Sequence, residues 1–238
     1  MKATKKYNIE IIIPCYNEEK NINILYNKIL EEVKKSKKIK EYRIVFVNDG
    51  SSDNTKEIIS NLSKKDINVT YINKNRRQEK SEALQSGFNQ IKSNTDLVFM
   101  MDADLQDDPK EFDNFIKKIE EGYDVVSGYK VNRLDNIEKR YASKLFNKTI
   151  NFFFKMNLHD HNCGFKCFKR KVIKDININK DLHRFITVFL NDLGYNVGEV
   201  EVCHHKRKYG KSKYGISRYF IGLKDLIKVK IMLKKSKR

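Results

Sequence analysis

Carboxylates in this 238-residue chain gather in a few short segments, each following an apolar run. The richest is Asp102-Ala103-Asp104-Leu105-Gln106-Asp107-Asp108-Pro109, directly after Leu97–Met101. Two carboxylates alternating with one small residue can both reach a hard divalent cation, Mg²⁺ or Mn²⁺, whose remaining ligands would be phosphate oxygens and water. Asp107 and Asp108 ahead of Pro109 read equally well as helix-capping residues. Asp102, at a strand end with nothing to cap, does not. A second segment, Asn48-Asp49-Gly50-Ser51-Ser52-Asp53, has the composition of a turn. Its carboxylate could also accept hydrogen bonds from a nucleobase or ribose. The third is Pro14-Cys15-Tyr16-Asn17-Glu18. Carboxylates from three strand ends on one rim repel each other unless a cation or a donor-rich ligand joins them.

The elements that must position these segments follow from periodicity. Strands are expected at Asn8–Ile13, Tyr42–Val47, Val69–Ile72, Leu97–Met101, Asp124–Gly128 and Val197–His204. Between them lie helical patterns: Glu18–Lys35 with Ile22, Leu25, Ile29 and Val33 on one face, a helix capped by Asp53 and running through Leu62, then Glu79–Ile91 and Pro109–Ile119. Longer helical stretches run from about Asn136 to Phe154, rich in basic and aromatic residues, and near Asp181–Leu193, and Asp160–Lys169 lies between them as an irregular Gly-containing segment. Strands that are continuous apolar runs, alternating with helices, predict an α/β fold: a mostly parallel sheet flanked by helices. Ligands of such sheets bind outside the carboxyl ends of the strands, where the three carboxylate segments fall.

Composition excludes several classes. No apolar run approaches the ~18 residues of a membrane-spanning helix, and the N-terminus lacks a signal-peptide core. Four cysteines in a chain of this length are not a disulfide scaffold. His159, His161, Cys163 and Cys167 do not have the spacing of a closed zinc site. The formal net charge of +18 points to polyanionic partners: nucleic acid, anionic membrane or phosphate-bearing substrates. A nucleic-acid binder would leave the Asp102/Asp104 rim unexplained, and a nucleotidyltransferase would need a Gly-rich basic loop where Pro14–Glu18 stands. Neither is expected.

Pro14–Glu18, Asn48–Asp53, Asp102–Gln106, Asp160–Lys166, His183-Arg184-Phe185 and Arg207–Tyr214, in this order, resemble glycosyltransferase family 2, the inverting enzymes of the GT-A fold. Within it they are similar to the dolichyl-phosphate mannose synthase and bacterial polyisoprenyl-phosphate glycosyltransferase branch. The resemblance covers about Asn8 to Asp225. It implies transfer of a sugar from a UDP- or GDP-linked donor to a dolichyl or undecaprenyl phosphate, with Mg²⁺ or Mn²⁺. A family enzyme acting on an oligosaccharide or other glycan is the alternative. By the same resemblance Pro14, Tyr16, Glu18, Asp49, Lys80 and Ala103 bind the nucleotide sugar, while Asp102, Asp104 and Gln106 form the metal and donor-phosphate site. Lys130, Arg133, His183, Arg184, Arg207, Ser212 and Lys213 hold donor or acceptor phosphates, and Asp102, Asp104, Arg207 and Lys213 carry the catalysis. Two positions depart from the family: Lys130 stands where arginine is usual, and Glu79 precedes Lys80 where glycine is common.

Residues 1–215 are expected to form the transferase domain and 216–238 a basic amphipathic extension. There Ile216, Tyr219, Phe220, Leu223, Leu226, Ile227 and Ile231 recur at helical spacing, with Lys230 inside the stripe, before the tail Lys234, Lys235, Lys237, Arg238. Such a segment is either an interfacial helix or an ordinary helix packed on the domain. A cytoplasmic protein held peripherally at a membrane surface, or by a membrane subunit, is the expected setting.

Overall fold

A computed structural model describes residues 5–131, 137–177, 182–203, 205, 225–226, 228–231 and 233. Seven strands form one sheet: β1 (Tyr7–Cys15), β2 (Ile39–Asp49), β3 (Val69–Lys74), β4 (Leu97–Met100), β5 (Val125–Val131), β6 (Lys166–Lys169) and β7 (Val197–Cys203). Their order across the sheet is β3-β2-β1-β4-β6-β5-β7. All strands run in one direction except β6, which is antiparallel to both β4 and β5. The helices are α1 (Glu19–Lys35), α2 (Thr55–Lys65), α3 (Lys80–Phe88), α4 (Phe112–Glu120), α5 (Ile137–Phe154), α6 (Arg170–Ile173) and α7 (Ile186–Asp192).

The apolar strand runs are continuous because both sheet faces are covered. Ile9, Ile11 and Ile13 of β1 join Phe46, Phe99 and Phe165 beneath α1, α2 and α4. Ile12, from the same strand, faces the other way, toward Ala83, Leu84 and Phe88 of α3 and Ile186 and Leu190 of α7. Asp108 and Pro109 start a 3-10 turn into α4 as capping chemistry requires, with the Asp108 carboxylate accepting from the Lys110 amide at 3.1 Å.

Two expectations are corrected. The segment read as irregular contains β6. Four residues are too few to show a period, and its buried Lys166 hides the strand's apolar character. Its reversed direction brings the loop before it, rather than the loop after it, to the rim where the parallel strands end. The second correction concerns the C-terminal stripe. Residues 225–226, 228–231 and 233 are helical, and Leu226, Val229 and Leu233 are buried against Phe146 and Ile150 of α5 and Phe185 and Val188 near α7. That i, i+3, i+7 spacing is the packed face, so Ile231 falls off it and is 51% exposed, with Lys230 also outside. Residues 216–224, 227, 232 and 234–238 lie outside the described residues.

Candidate active site

The rim at the carboxyl ends of β1, β2 and β4 is one open cleft of about 730 Å³, solvent at its mouth included. Pro14, Tyr16, Glu18, Asp49, Lys80, Asp102, Ala103 and Asp104 line it. These eight residues, which the resemblance assigns to the nucleotide sugar and metal, line one cleft, whereas Gln106 is not among its lining residues.

Local chemistry fixes each wall. Asn17 adopts a left-handed conformation (φ 55°), which Asn tolerates well. Its side-chain oxygen accepts from the Ser52 amide at 2.9 Å, and its own amide donates to Ser51 Oγ at 3.0 Å. The Glu18 amide donates to Thr55 Oγ1 at 2.8 Å, and Asp53 accepts from the Thr55 amide at 3.0 Å and the Glu19 amide at 3.2 Å. Asp53 thus ties the starts of α1 and α2 together as well as serving as a cap. Gly50 (φ 69°) lies against the backbone of Arg76 and Arg77, where a Cβ would come within 2.5 Å.

The segment entering α3 is held by Asp49, whose two carboxylate oxygens accept from the Gln78 amide (3.0 Å) and the Glu79 amide (3.1 Å). Glu79 has φ 131° and ψ 159°, a region essentially reserved for glycine. The backbone therefore keeps a glycine conformation although the side chain is glutamate, at a strain of about 1–3 kcal/mol. Lys80, next along, places its ammonium on Asp102 Oδ1.

Electrostatics separate the clustered carboxylates. Burial works against the charge on Asp102, but Lys80, with Lys130 and His183 behind it, holds its carboxyl below the usual range. Asp104 is 6% exposed and accepts from the Gln106 amide at 3.1 Å, in a turn made by Leu105 at φ 62°. Gln106 Nε2 reaches the His205 carbonyl at 3.4 Å. Asp107, which sequence reasoning left as a cap, is instead 2% exposed, and burial pushes it up to about 6, with Asp102 and Asp104 adding to the shift and Lys130 opposing it. Lys130 Nζ stands 3.8 Å from Asp107 Oδ1, an oxygen with no hydrogen-bond donor among the described residues. Burial opposes the Lys130 charge too, yet Asp107, Cys163, Asp102 and Asp160 lift its pKa above the ordinary lysine value. Asp102 and Asp104 bring hard carboxylate oxygens into the cleft, the donor type a divalent cation takes, although among the described residues no group of three or more His, Cys, Asp or Glu is placed to hold a metal. Asp102, Asp104 and Gln106 are the residues that would hold it.

Three expected residues sit elsewhere or in other company. Lys130 faces Asp107 rather than the open cleft. His183 is buried, its Nδ1 2.9 Å from Ser81 Oγ in α3. Arg184 is buried beside it, and its Nε makes no hydrogen bond among the described residues. Arg133, Arg207, Ser212 and Lys213 lie outside the described residues. Sequence reasoning missed Arg77, which lines the cleft with its guanidinium 4.4 Å from the Tyr16 ring centroid, a cation–π pair. Its place just beyond β3, on the ligand-binding rim, was the available signal.

The loop before β6 closes the back of the site. A Cβ on Gly164 would come within 2.8 Å of Asp102 Oδ2, so only glycine lets the loop lie against that carboxylate. Two asparagines of α5 hold the loop's start: Asn147 donates to the His159 carbonyl at 2.7 Å and Asn151 to the Leu158 carbonyl at 2.9 Å. His159 pairs with Glu199, while buried His161 stands 2.9 Å from Asn151 Oδ1 and 3.3 Å from Thr187 Oγ1. Burial, with nearby Lys166, lowers the His161 pKa to about 3. Its folded pKa lies below its unfolded value near 6.5, so His161 contributes stability above pH 6.5 that is lost as pH falls toward 3. Between pH 6.5 and 5 the loss is about 2 kcal/mol, from ~1.5 pH units at 1.36 kcal/mol each. Urea unfolding should show this loss in the parent and a smaller one in His161→Gln; equal pH slopes would refute the assignment.

The architecture is that of GT-A glycosyltransferases. Mannosyl-3-phosphoglycerate synthase from Rubrobacter xylanophilus superposes with a TM-score of 0.74 at 14% identity, over 97% of this chain and 75% of that one. A mannosyltransferase from Pyrobaculum calidifontis, solved with GDP-Man and Mn²⁺, gives 0.65 at 18% identity, over 92% and 61%. The model of glycosyl transferase family 2 matches residues 10–177, and the chain belongs to that family. Among its relatives are undecaprenyl-phosphate 4-deoxy-4-formamido-L-arabinose transferases. That of Shewanella sediminis is 33% identical over 220 residues, covering 92% of this chain and 65% of the relative. That of Photorhabdus laumondii is 31% identical, covering 92% and 66%. The chain spans about two thirds of the length of these relatives.

Proposed function

We propose that this protein transfers a sugar from a nucleoside-diphosphate donor to a polyprenyl phosphate, with inversion at the anomeric carbon. The observation that carries the reading is the single cleft in which Asp49, Lys80, Asp102 and Asp104 meet at the strand ends. Relatives named for undecaprenyl-phosphate sugar transfer support the acceptor class. Asp49 and Tyr16 lie on the nucleoside side, and Asp102, Asp104 and Gln106 on the diphosphate side. A divalent cation, Mg²⁺ or Mn²⁺, supplies positive charge to the leaving diphosphate when bound. An acceptor phosphate oxygen is anionic near neutral pH, so it attacks the anomeric carbon without a strong protein base. The bond from that carbon to the diphosphate oxygen breaks as the new bond forms.

Among the described residues no helix is long and apolar enough to cross a membrane. We infer peripheral association with a membrane surface, on its cytoplasmic side, as the way the enzyme meets its acceptor. Residues 1–215 carry the transferase in this reading, and Arg133, Arg207, Ser212 and Lys213 supply phosphate contacts.

The test is a donor screen: UDP- and GDP-sugars, Mg²⁺ or Mn²⁺, and either a short polyprenyl phosphate or an oligosaccharide as acceptor. Labelled sugar should move into the lipid product. Transfer to the oligosaccharide alone would overturn the acceptor class. In the same assay Arg207→Ala or Lys213→Ala should lower kcat/KM by at least ~10-fold, the size of one charge-assisted bond of ~1.4 kcal/mol. Parental kinetics in both variants would remove the basic loop from the site.

A further inference from the structure

The outer face of α5 is apolar where a surface helix should be polar. Tyr141, Leu145 and Phe152 are 72%, 69% and 81% exposed. At 100° per residue they fall within about 40° of each other round the helix axis. Phe146 and Ile150, on the opposite side, fill the core with Phe185 and Leu226. The helix therefore has two apolar faces, and the core needs only one. Phe153 extends the outer patch, 44% exposed under the Lys230 ammonium at 4.2 Å, close to exposed Ile231. Single exposed apolar residues are ordinary; a stripe of them marks an interaction site. Lys144 and Lys148 flank the stripe and Lys155 follows it, all exposed.

We propose that this face of α5 docks the protein on an anionic lipid bilayer, with Tyr141, Leu145 and Phe152 entering the headgroup boundary and the flanking lysines on lipid phosphates. The chemistry of the patch selects this occupant over a second copy of the chain. At a formal charge of +18, two copies repel each other, whereas an anionic surface attracts each of them. A stripe of three or four side chains on one helix is also much smaller than the ~800 Å² per partner of a stable protein interface. It suits shallow insertion of an amphipathic helix, where lysine stems lie along the apolar boundary and their ammonium groups stay in the headgroups.

The placement also serves the site. The inner face of the same helix, through Asn147 and Asn151, holds the loop that leads to Gly164 against Asp102. The proposed bilayer contact and the mooring of that loop thus share one helix. This inference rests on the proposed lipid acceptor for its purpose, but its test requires neither acceptor nor turnover.

The chain contains no tryptophan, so Phe152→Trp installs a single indole reporter in the full-length protein. Adding vesicles of phosphatidylcholine and phosphatidylglycerol should shift its emission to the blue, and brominated lipid should quench it. Emission unchanged by these vesicles overturns the proposal. The triple variant Tyr141→Ser, Leu145→Ser, Phe152→Ser should co-sediment with the same vesicles at least ~10-fold more weakly than the parent. Parental binding should weaken with added salt and on omission of phosphatidylglycerol. Equal co-sedimentation of parent and triple variant overturns the docking face. So does a parent that self-associates in ultracentrifugation while its triple variant does not, which would make a second copy the occupant. Nucleotide-sugar binding by the triple variant should match the parent; a parent that binds no nucleotide sugar counts against the proposed function, and loss of vesicle binding in the variant alone does not.

Discussion

Asp104→Ala is expected to abolish sugar transfer, by at least ~100-fold in kcat, while leaving the unfolding midpoint nearly unchanged. Asp104 lines the cleft at the strand end, where its carboxylate also accepts from the local Gln106 amide. Asp102→Ala is expected to act less severely on transfer and to free the Lys80 ammonium, which then has no carboxylate to hold it. EDTA should silence the parent and Mn²⁺ or Mg²⁺ should restore it. Full activity in chelator would refute the cation assignment, and full activity of Asp104→Ala would remove these carboxylates from the reaction.

The second large effect concerns stability. Lys130→Met should cost about 3–5 kcal/mol, the range for stranding one member of a buried ion pair. The charge left behind is Asp107, 2% exposed with its carboxyl already raised to about 6. Adding Asp107→Asn to Lys130→Met should recover much of that loss. A double-mutant cycle by urea unfolding separates this from the role expected of Lys130 from sequence. A lysine acting only on substrate phosphate would lose kcat/KM without losing stability, and additive effects in the cycle would refute the pairing.

The meeting of the cleft residues on one rim was legible because its signals are local. Apolar runs mark the strands, and the residues after each run necessarily reach the same rim. Pro14, Tyr16, Asp49 and Asp104 could therefore be grouped without coordinates. What escaped depends on contacts between distant segments. Nothing in the local sequence reveals that Asp107 turns inward to Lys130, or that His183 hydrogen-bonds Ser81 inside the fold. β6 escaped because its burial comes from neighbours on both sides and not from its own pattern. On the C-terminal helix, sequence showed an apolar stripe but not which stripe. The neighbours on α5 and α7 decide that, and they chose Leu226, Val229 and Leu233. Glu79 is the reverse case: composition argued against a glycine-like turn, and the two amides held by Asp49 maintain one.

The reversal of β6 bears on how such a protein can diverge. One wall of the cleft is built by loops that follow β1, β2 and β3, laced to each other through Asn17, Asp53 and Gly50. The opposite wall descends from a loop that precedes a strand and is moored to α5. No described hydrogen bond lacing the first wall passes through the second. Insertions or exchanges between Leu158 and Phe165 could therefore accumulate while β1, β2 and β3 keep their register, provided Gly164 is spared. In the proposed function the two walls serve different substrates, so one can be kept while the other changes.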